Sequence, residues 1–147
     1  MNLTAQNKYG LTPMRMEEYK KSLTSNPENE LVNLEKFIPE LKLEIRYATT
    51  NNFTGKQIYH LARAYARKPV AEALKKIQAD LKQQGLALKI FDGYRPYSAT
   101  VMFYETYHDT TYVASPYKGS RHNRGCALDL TIIDLKTGKE LPMPTEY

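Results

Sequence analysis

Ser120-Arg121-His122-Asn123-Arg124-Gly125-Cys126-Ala127-Leu128-Asp129 puts an imidazole and a carboxylate seven positions apart, with a glycine between them. A fully extended segment of that length would hold its ends about 20 Å apart. The two side chains therefore meet only if the chain bends between Asn123 and Gly125. Gly125 permits the bend, because glycine alone enters positive φ without a steric penalty. From the carboxylate onward the residues alternate as a strand. Asp129 shares a small, polar face with Ala127 and Thr131, while Leu128, Leu130 and Ile132 point the other way. A strand through Ile133, a hairpin turn at Lys136-Thr137-Gly138-Lys139 and a partner segment from Glu140 to Met143 complete the reading. Imidazole and carboxylate are ordinary Zn²⁺ ligands, at roughly 2.0–2.2 Å each. On residue types alone, a surface histidine in a turn followed by an aspartate on an edge strand fits equally well.

Outward from this stretch, Leu41 to Tyr47 alternates apolar and charged residues and reads as a half-buried strand. It runs into a loop of Asn, Thr and Gly at residues 48–55, and Tyr47 at its end is either a core tyrosine or a phenol turned toward a site. Pro69 suits a first helical turn. Val70, Ala73, Leu74, Ile77 and Leu81 then recur at helical spacing, and Gly85 stops the helix. Leu86 to Phe91 is a short apolar strand delivering Asp92-Gly93-Tyr94-Arg95-Pro96, a tight turn in which a guanidinium is held on a rigid support. Arg95 is either a stabiliser of developing negative charge or a structural arginine. Ser98 is a candidate N-cap for a helix to about His108. Glu105 and His108, at i and i+3, read as its solvated edge, and His60 as a core or surface histidine. Thr110 to Lys118 reads as loop. Residues 1–35 form a polar N-terminal arm with one short helix over Arg15 to Leu23, and residues 36–147 form the N-terminal part of a single domain.

A length of 147 residues, 41% hydrophobic and 25% charged, suits one domain around one core. No apolar run approaches the roughly 20 residues of a membrane span. No leader-like segment stands at the start as given, so a cytoplasmic setting is expected unless one was removed before Met1. The single Cys126 excludes an internal disulfide and a multi-cysteine zinc cluster, and is expected to fill a small buried space. The net charge of +5 is spread among acids rather than gathered in blocks, which argues for acidic small ligands over nucleic acid. The 12 tyrosines show no regular spacing that would make a base-stacking platform.

Three stretches together carry a resemblance. Arg46-Tyr47-Ala48-Thr49 with Asn52-Phe53-Thr54-Gly55, then Asp92-Gly93-Tyr94-Arg95-Pro96, then Ser120-x-His122-x-x-Gly125-x-Ala127-x-Asp129-Leu130-Thr131 resemble the zinc D-alanyl-D-alanine dipeptidases of the vancomycin-resistance type. The resemblance covers about residues 40–147. Its last stretch alone is shared with related D,D-carboxypeptidases.

The resemblance implies a small α+β domain of the hedgehog/D,D-peptidase-like kind, an antiparallel sheet with helices packed on one side. It implies a zinc metallopeptidase of cell-wall peptide metabolism, with a small D-amino-acid dipeptide as substrate and one Zn²⁺ per site. His122 and Asp129 resemble two of three zinc ligands, and Arg95 the arginine that polarises the scissile carbonyl. Tyr47 and Ser120 are similar to residues holding the substrate's amino end. The family's third ligand and general base, on a Glu-Trp-Trp-His stretch, find no counterpart in residues 1–147. The chain alone is therefore expected to be inactive, with a C-terminal fragment or a neighbouring chain completing the site. A D,D- or L,D-carboxypeptidase acting on peptidoglycan stems and a non-catalytic cell-wall peptide-binding module are the alternatives.

Overall fold

A computed structural model describes residues 8–147. The fold is α+β. Its elements are α1 (Met16–Ser25), β1 (Leu31–Asn33), α2 (Leu34–Phe37), β2 (Lys42–Leu43), β3 (Tyr65–Arg67), α3 (Lys68–Gln83), β4 (Leu86–Asp92), α4 (Tyr97–Thr106) and β5 (Asp129–Asp134). Short 3₁₀ turns lie at Pro27–Asn29, Arg46–Ala48 and His122–Arg124. β4 is the centre of a three-stranded sheet, with β5 antiparallel on one side and β2 parallel on the other. The sheet is thus mixed rather than wholly antiparallel, because the chain crosses from β2 to β4 through α3. A separate ribbon pairs β1 with β3 antiparallel, which ties residues 31–33 to the domain.

α3 forms where Pro69 supplies a helical φ without losing a hydrogen bond, and it ends before Gly85, whose φ is +73°. It packs on one face of the sheet. Leu74 and Ala71 join Leu88, Ile90, Leu34, Ile38 and Ile45 in the core, with Leu128 and Ile132 against them. The buried stripe is rotated from the one that hydrophobicity alone predicts. Ile77 stays 47% exposed while Gln78 is 4% exposed. The reason is a hydrogen bond: Gln78 Oε1 accepts from the backbone N–H of Leu88 at 2.8 Å and locks the helix to β4.

The expected strand over 41–47 is shorter than its alternation implies. Only Lys42–Leu43 pair with β4, followed by one further bond from Glu44 N to Ile90 O at 2.9 Å. The chain then turns, because Thr49 Oγ1 and Asn52 Nδ2 both donate to Arg46 O, at 2.8 and 3.3 Å. Side chains of this type compete with a strand ladder for the backbone. The turn sends Tyr47 inward, 7% exposed, onto Phe103 of α4. The segment after the 136–139 turn makes a single bridge, Ile133 to Glu140, rather than a strand. Pro142 and Pro144 lack the N–H donors a ladder needs. α4 begins at Tyr97 with Pro96 as its cap residue, so Ser98 lies inside the helix rather than capping it.

The arm lies on the domain. Tyr9 is buried against Tyr97 and Val101, and its hydroxyl donates to Glu105 at 2.8 Å. Glu105 stays on the solvated edge of α4, with His108 exposed just past the helix end, and anchors the arm from there. Cys126 is exposed, contrary to the expectation that it fills the core. Its neighbour Gly125 is the residue that packs inward, and Cys126 faces out.

Candidate metal centre

Two loops at one end of the sheet build the site. The first, residues 92–96, continues from β4; the second, residues 120–125, leads into β5. They are stitched together by hydrogen bonds. Arg95 N donates to His122 O at 3.0 Å, and Asn123 Nδ2 donates to Arg95 O and Thr100 Oγ1, each at 2.9 Å. Within the second loop, Asn123 Oδ1 accepts from Ser120 N at 2.7 Å and Ser120 Oγ from His122 N at 3.2 Å. Gly125 takes the bend at φ +69°. A larger residue would be strained at that φ, and its Cβ would push on Leu31 Cδ2 at 2.6 Å and stand 3.3 Å from Arg67 N.

A bulge in β4 completes the arrangement. Ile90 is opposite Leu130, but Asp92 rather than Phe91 is opposite Asp129. The extra residue re-aims the end of the strand, a recurrent device next to functional sites. Asp92, His122 and Asp129 consequently offer ligand atoms that all lie within 4.8 Å of one another.

His122 Nε2 stands 3.5 Å from Asp129 Oδ1. His122 Nδ1 is 2.9 Å from the carbonyl oxygen of Gly93, which can only accept, so Nδ1 carries a proton and Nε2 is the nitrogen turned toward Asp129. A backbone carbonyl behind the ring is the usual way a metal-binding histidine is oriented. Asp129 Oδ2 accepts from Arg95 Nη2 and from Tyr147 OH, both at 3.3 Å, leaving Oδ1 toward the imidazole. Burial pushes the Asp129 carboxyl up, but the hydrogen bond and charge of His122, with the Arg95 guanidinium, outweigh it and hold the group below its usual range.

Arg95 is 8% exposed. Its Nε and Nη2 contact Asp92 Oδ2 at 2.9 and 2.8 Å, and its guanidinium carbon lies 5.0 Å from the ring centre of Phe103 and 5.6 Å from that of Tyr47. Asp92 is 1% exposed and also accepts from Tyr59 OH and from Gly93 N, both at 3.0 Å. Burial pushes the Tyr59 hydroxyl far up, so it remains a donor at any ordinary pH.

The centre opens on the sheet face opposite α3, into a cavity of about 800 Å³ lined by Arg46, Phe91, Asp129, Thr131 and residues 140–147. Tyr147 lies in its mouth. Its ring stacks on Phe91 at 4.7 Å, and Arg46 Nη1 donates to its carbonyl oxygen at 3.2 Å.

The chain matches the D-ala-D-ala dipeptidase family over residues 27–147. It belongs to that family. Among curated proteins it is 42% identical over 105 residues to the D-alanyl-D-alanine dipeptidase of Escherichia coli (strain K12), covering 71% of this chain and 54% of that protein. It is 32% identical over 143 residues to the enzyme of the same name from Enterococcus faecalis, covering 82% and 69% respectively. The Enterococcus faecium D-alanyl-D-alanine dipeptidase is 31% identical over 134 residues, or 78% and 66%. The chain thus spans about half the length of the first relative and about two thirds of the others.

In this D-ala-D-ala dipeptidase family member, four of the five sequence-predicted site residues converge. His122, Asp129, Arg95 and Tyr47 form one contiguous cluster. Ser120 Oγ accepts from His122 N within the turn, and Ser120 borders a second cavity beside the arm. His60 is exposed, and His108 packs on Tyr104. Sequence reasoning missed Asp92, Tyr59 and Tyr147. The Asp-Gly pair reads as turn chemistry, although the place of Asp92 at the buried end of an apolar strand is a signal, because a buried carboxylate requires partners.

Proposed function

We propose that the protein carrying this chain is a metallopeptidase that hydrolyses the D-alanyl-D-alanine dipeptide, with Zn²⁺ held by His122 and Asp129. The observation that carries this is the free His122 Nε2 facing Asp129 Oδ1 at 3.5 Å. The donor set fits the ion, being one imidazole nitrogen oriented by a backbone carbonyl and one carboxylate held below its usual range. The names of the relatives support the substrate.

When bound, Zn²⁺ supplies Lewis acidity toward the peptide carbonyl and toward water, whose pKa it lowers to about 7. Gly93 O fixes the tautomer and orientation of His122. Arg95 presents its guanidinium to the same centre, where its N–H groups can accept the negative charge that grows on the carbonyl oxygen. A positioned donor of this kind is worth roughly 2.7–4 kcal/mol in the transition state. Tyr47 is assigned to the substrate's amino end from the aromatic wall beside Arg95, and Ser120 from the turn that carries His122. Catalytic zinc sites use three protein ligands, whereas this cluster presents two turned toward each other, His122 and Asp129. The 147-residue chain by itself is accordingly read as a weak zinc binder without turnover.

The test is metal analysis and amine release from D-alanyl-D-alanine with the protein of the complete reading frame. We expect about one zinc per chain and cleavage of the dipeptide, with His122→Ala and Asp129→Ala losing both. Cleavage of stem peptides in preference to free dipeptide would identify a carboxypeptidase instead. Stoichiometric zinc with no turnover of either would identify a binding module.

A further inference from the structure

We infer that Asp92 is the positioning residue of Arg95, an anchor that fixes the guanidinium against the metal centre without itself binding the metal. The inference rests on the reading of Arg95 as the group that faces substrate. Composition and distance alone point elsewhere, because Asp92 lies with His122 and Asp129 inside a 4.8 Å cluster and would make a natural third ligand. Its hydrogen bonds argue against that role.

An ionised carboxylate offers about four lone-pair sites. Oδ1 of Asp92 accepts from Gly93 N and Tyr59 OH, both at 3.0 Å. Oδ2 takes Arg95 Nε at 2.9 Å and Nη2 at 2.8 Å. Three donors hydrogen-bond the carboxylate (Gly93 N, Tyr59 OH and Arg95 Nε), and the ion pair with Arg95 Nη2 crowds Oδ2 further. His122 Nε2 and Asp129 Oδ1 face each other with no such donors. To ligate a metal Asp92 would have to loosen its hold on the arginine, leaving the buried guanidinium only its longer contact to Asp129 Oδ2 at 3.3 Å. With both of its oxygens engaged by the clamp, Asp92 has little left to offer an ion.

The same contacts define what Asp92 does for Arg95. The Nε/Nη2 edge of the fork is held by the carboxylate, and the rings of Phe103 and Tyr47 lie at 5.0 and 5.6 Å from its carbon. Rotation about the side-chain bonds is thereby restricted. Nη2 is left reaching Asp129 Oδ2 at 3.3 Å, and among the described residues Nη1 takes no hydrogen bond. Nη1 is the edge available to a substrate oxygen. Tyr59 supports the clamp from behind through its hydroxyl.

The experiment compares Asp92→Asn, Tyr59→Phe, Arg95→Ala and the double variants in the complete protein. Asp92→Asn should lower kcat by about 10²-fold, the scale of a misplaced catalytic group, with KM little changed and zinc stoichiometry intact. Tyr59→Phe should act in the same direction with a smaller loss. Neither should reduce kcat further in the Arg95→Ala background, because residues acting through one another are not additive. Loss of zinc in Asp92→Asn would make Asp92 a ligand and overturn the proposal. A full additional loss in the Arg95→Ala background would overturn it too. A readout independent of turnover is the Arg95 Nε–H nuclear magnetic resonance signal, assigned by its disappearance in Arg95→Lys. It should be protected from solvent exchange in the wild type and lose that protection in Asp92→Asn, or in Tyr59→Phe if the first variant fails to fold. Unchanged protection would sink the clamp even if the protein hydrolysed no dipeptide. Absence of dipeptide hydrolysis in the wild type, with the clamp intact, would instead sink the assignment of function alone.

Discussion

Arg95 and Asp129 divide the residue-scale chemistry between a fixed cation and a carboxylate kept ionised. If Arg95 meets the substrate oxygen mainly as charge develops, Arg95→Ala in the complete protein should lower kcat and kcat/KM together by about 10²-fold or more. Arg95→Lys should recover only part, since an ammonium cannot hold Asp92 and reach Asp129 at once from a fixed plane as the guanidinium does. Zinc content should be unchanged in both, as measured by metal analysis of dialysed protein. A rise in KM alone would make Arg95 a ground-state anchor. The opposite pattern is expected at His122, where the metal leaves first and activity follows.

At the scale of elements, the bend at residues 122–125 is the most exposed to substitution. Gly125→Ala meets both a backbone penalty at φ +69° and a contact of 2.6 Å to Leu31, so it should cost at least about 1–3 kcal/mol and appear as a lowered Tm. Leu74→Ala, under α3, should cost about 2–5 kcal/mol by opening a cavity in the main core. These two elements were legible before any coordinates: helical spacing marked α3, and a glycine between histidine and aspartate marked the bend. The face of α3 was not, because apolar periodicity cannot foresee that Gln78 will be drawn inward by a strand N–H. The early end of the 41–47 strand was not legible for a similar reason, since Thr49 and Asn52 take over the backbone of Arg46 by local bonds. Pairing of Asp92 with Asp129 depends on one extra residue in β4, and alternation predicts the opposite facing. The meeting of His122 with Asp129 was open to inference; the clamp on Arg95 required the bulge to be seen.

Across the whole molecule, charge ties the distant parts of the sheet together. Lys89 on β4 pairs with Glu44 beyond β2 and with Glu140 at 2.8 Å beyond β5. The hydrogen bond from Lys89 holds the Glu44 carboxyl below its usual range, against opposing burial and with help from Arg46. A depressed folded pKa stabilises above the unfolded value and is lost as pH falls through the folded one. Glu44→Gln should therefore lower Tm at pH 7 and make no difference once the solution is more acidic than the folded carboxyl. Glu44 is 37% exposed, so the neutral-pH effect should stay below about 1 kcal/mol. Tm profiles of the two proteins that run parallel at all pH values would refute the linkage. The arm is held through Tyr9 and Glu105, and Tyr9→Ala should raise protease cleavage near residues 10–15 without altering the sheet.

Tyr147 rests on Phe91 with its hydroxyl 3.3 Å from Asp129, and the chain contains no tryptophan. Light absorbed near 280 nm is therefore emitted by tyrosine alone, undrained by energy transfer to indole. An ion such as Co²⁺ or Cu²⁺ arriving between His122 and Asp129 would lie close to the phenol of Tyr147, with Tyr59 and Tyr47 also nearby, and quench their emission. The chain thus carries its own optical gauge of metal entry, and Tyr147→Phe should weaken its response.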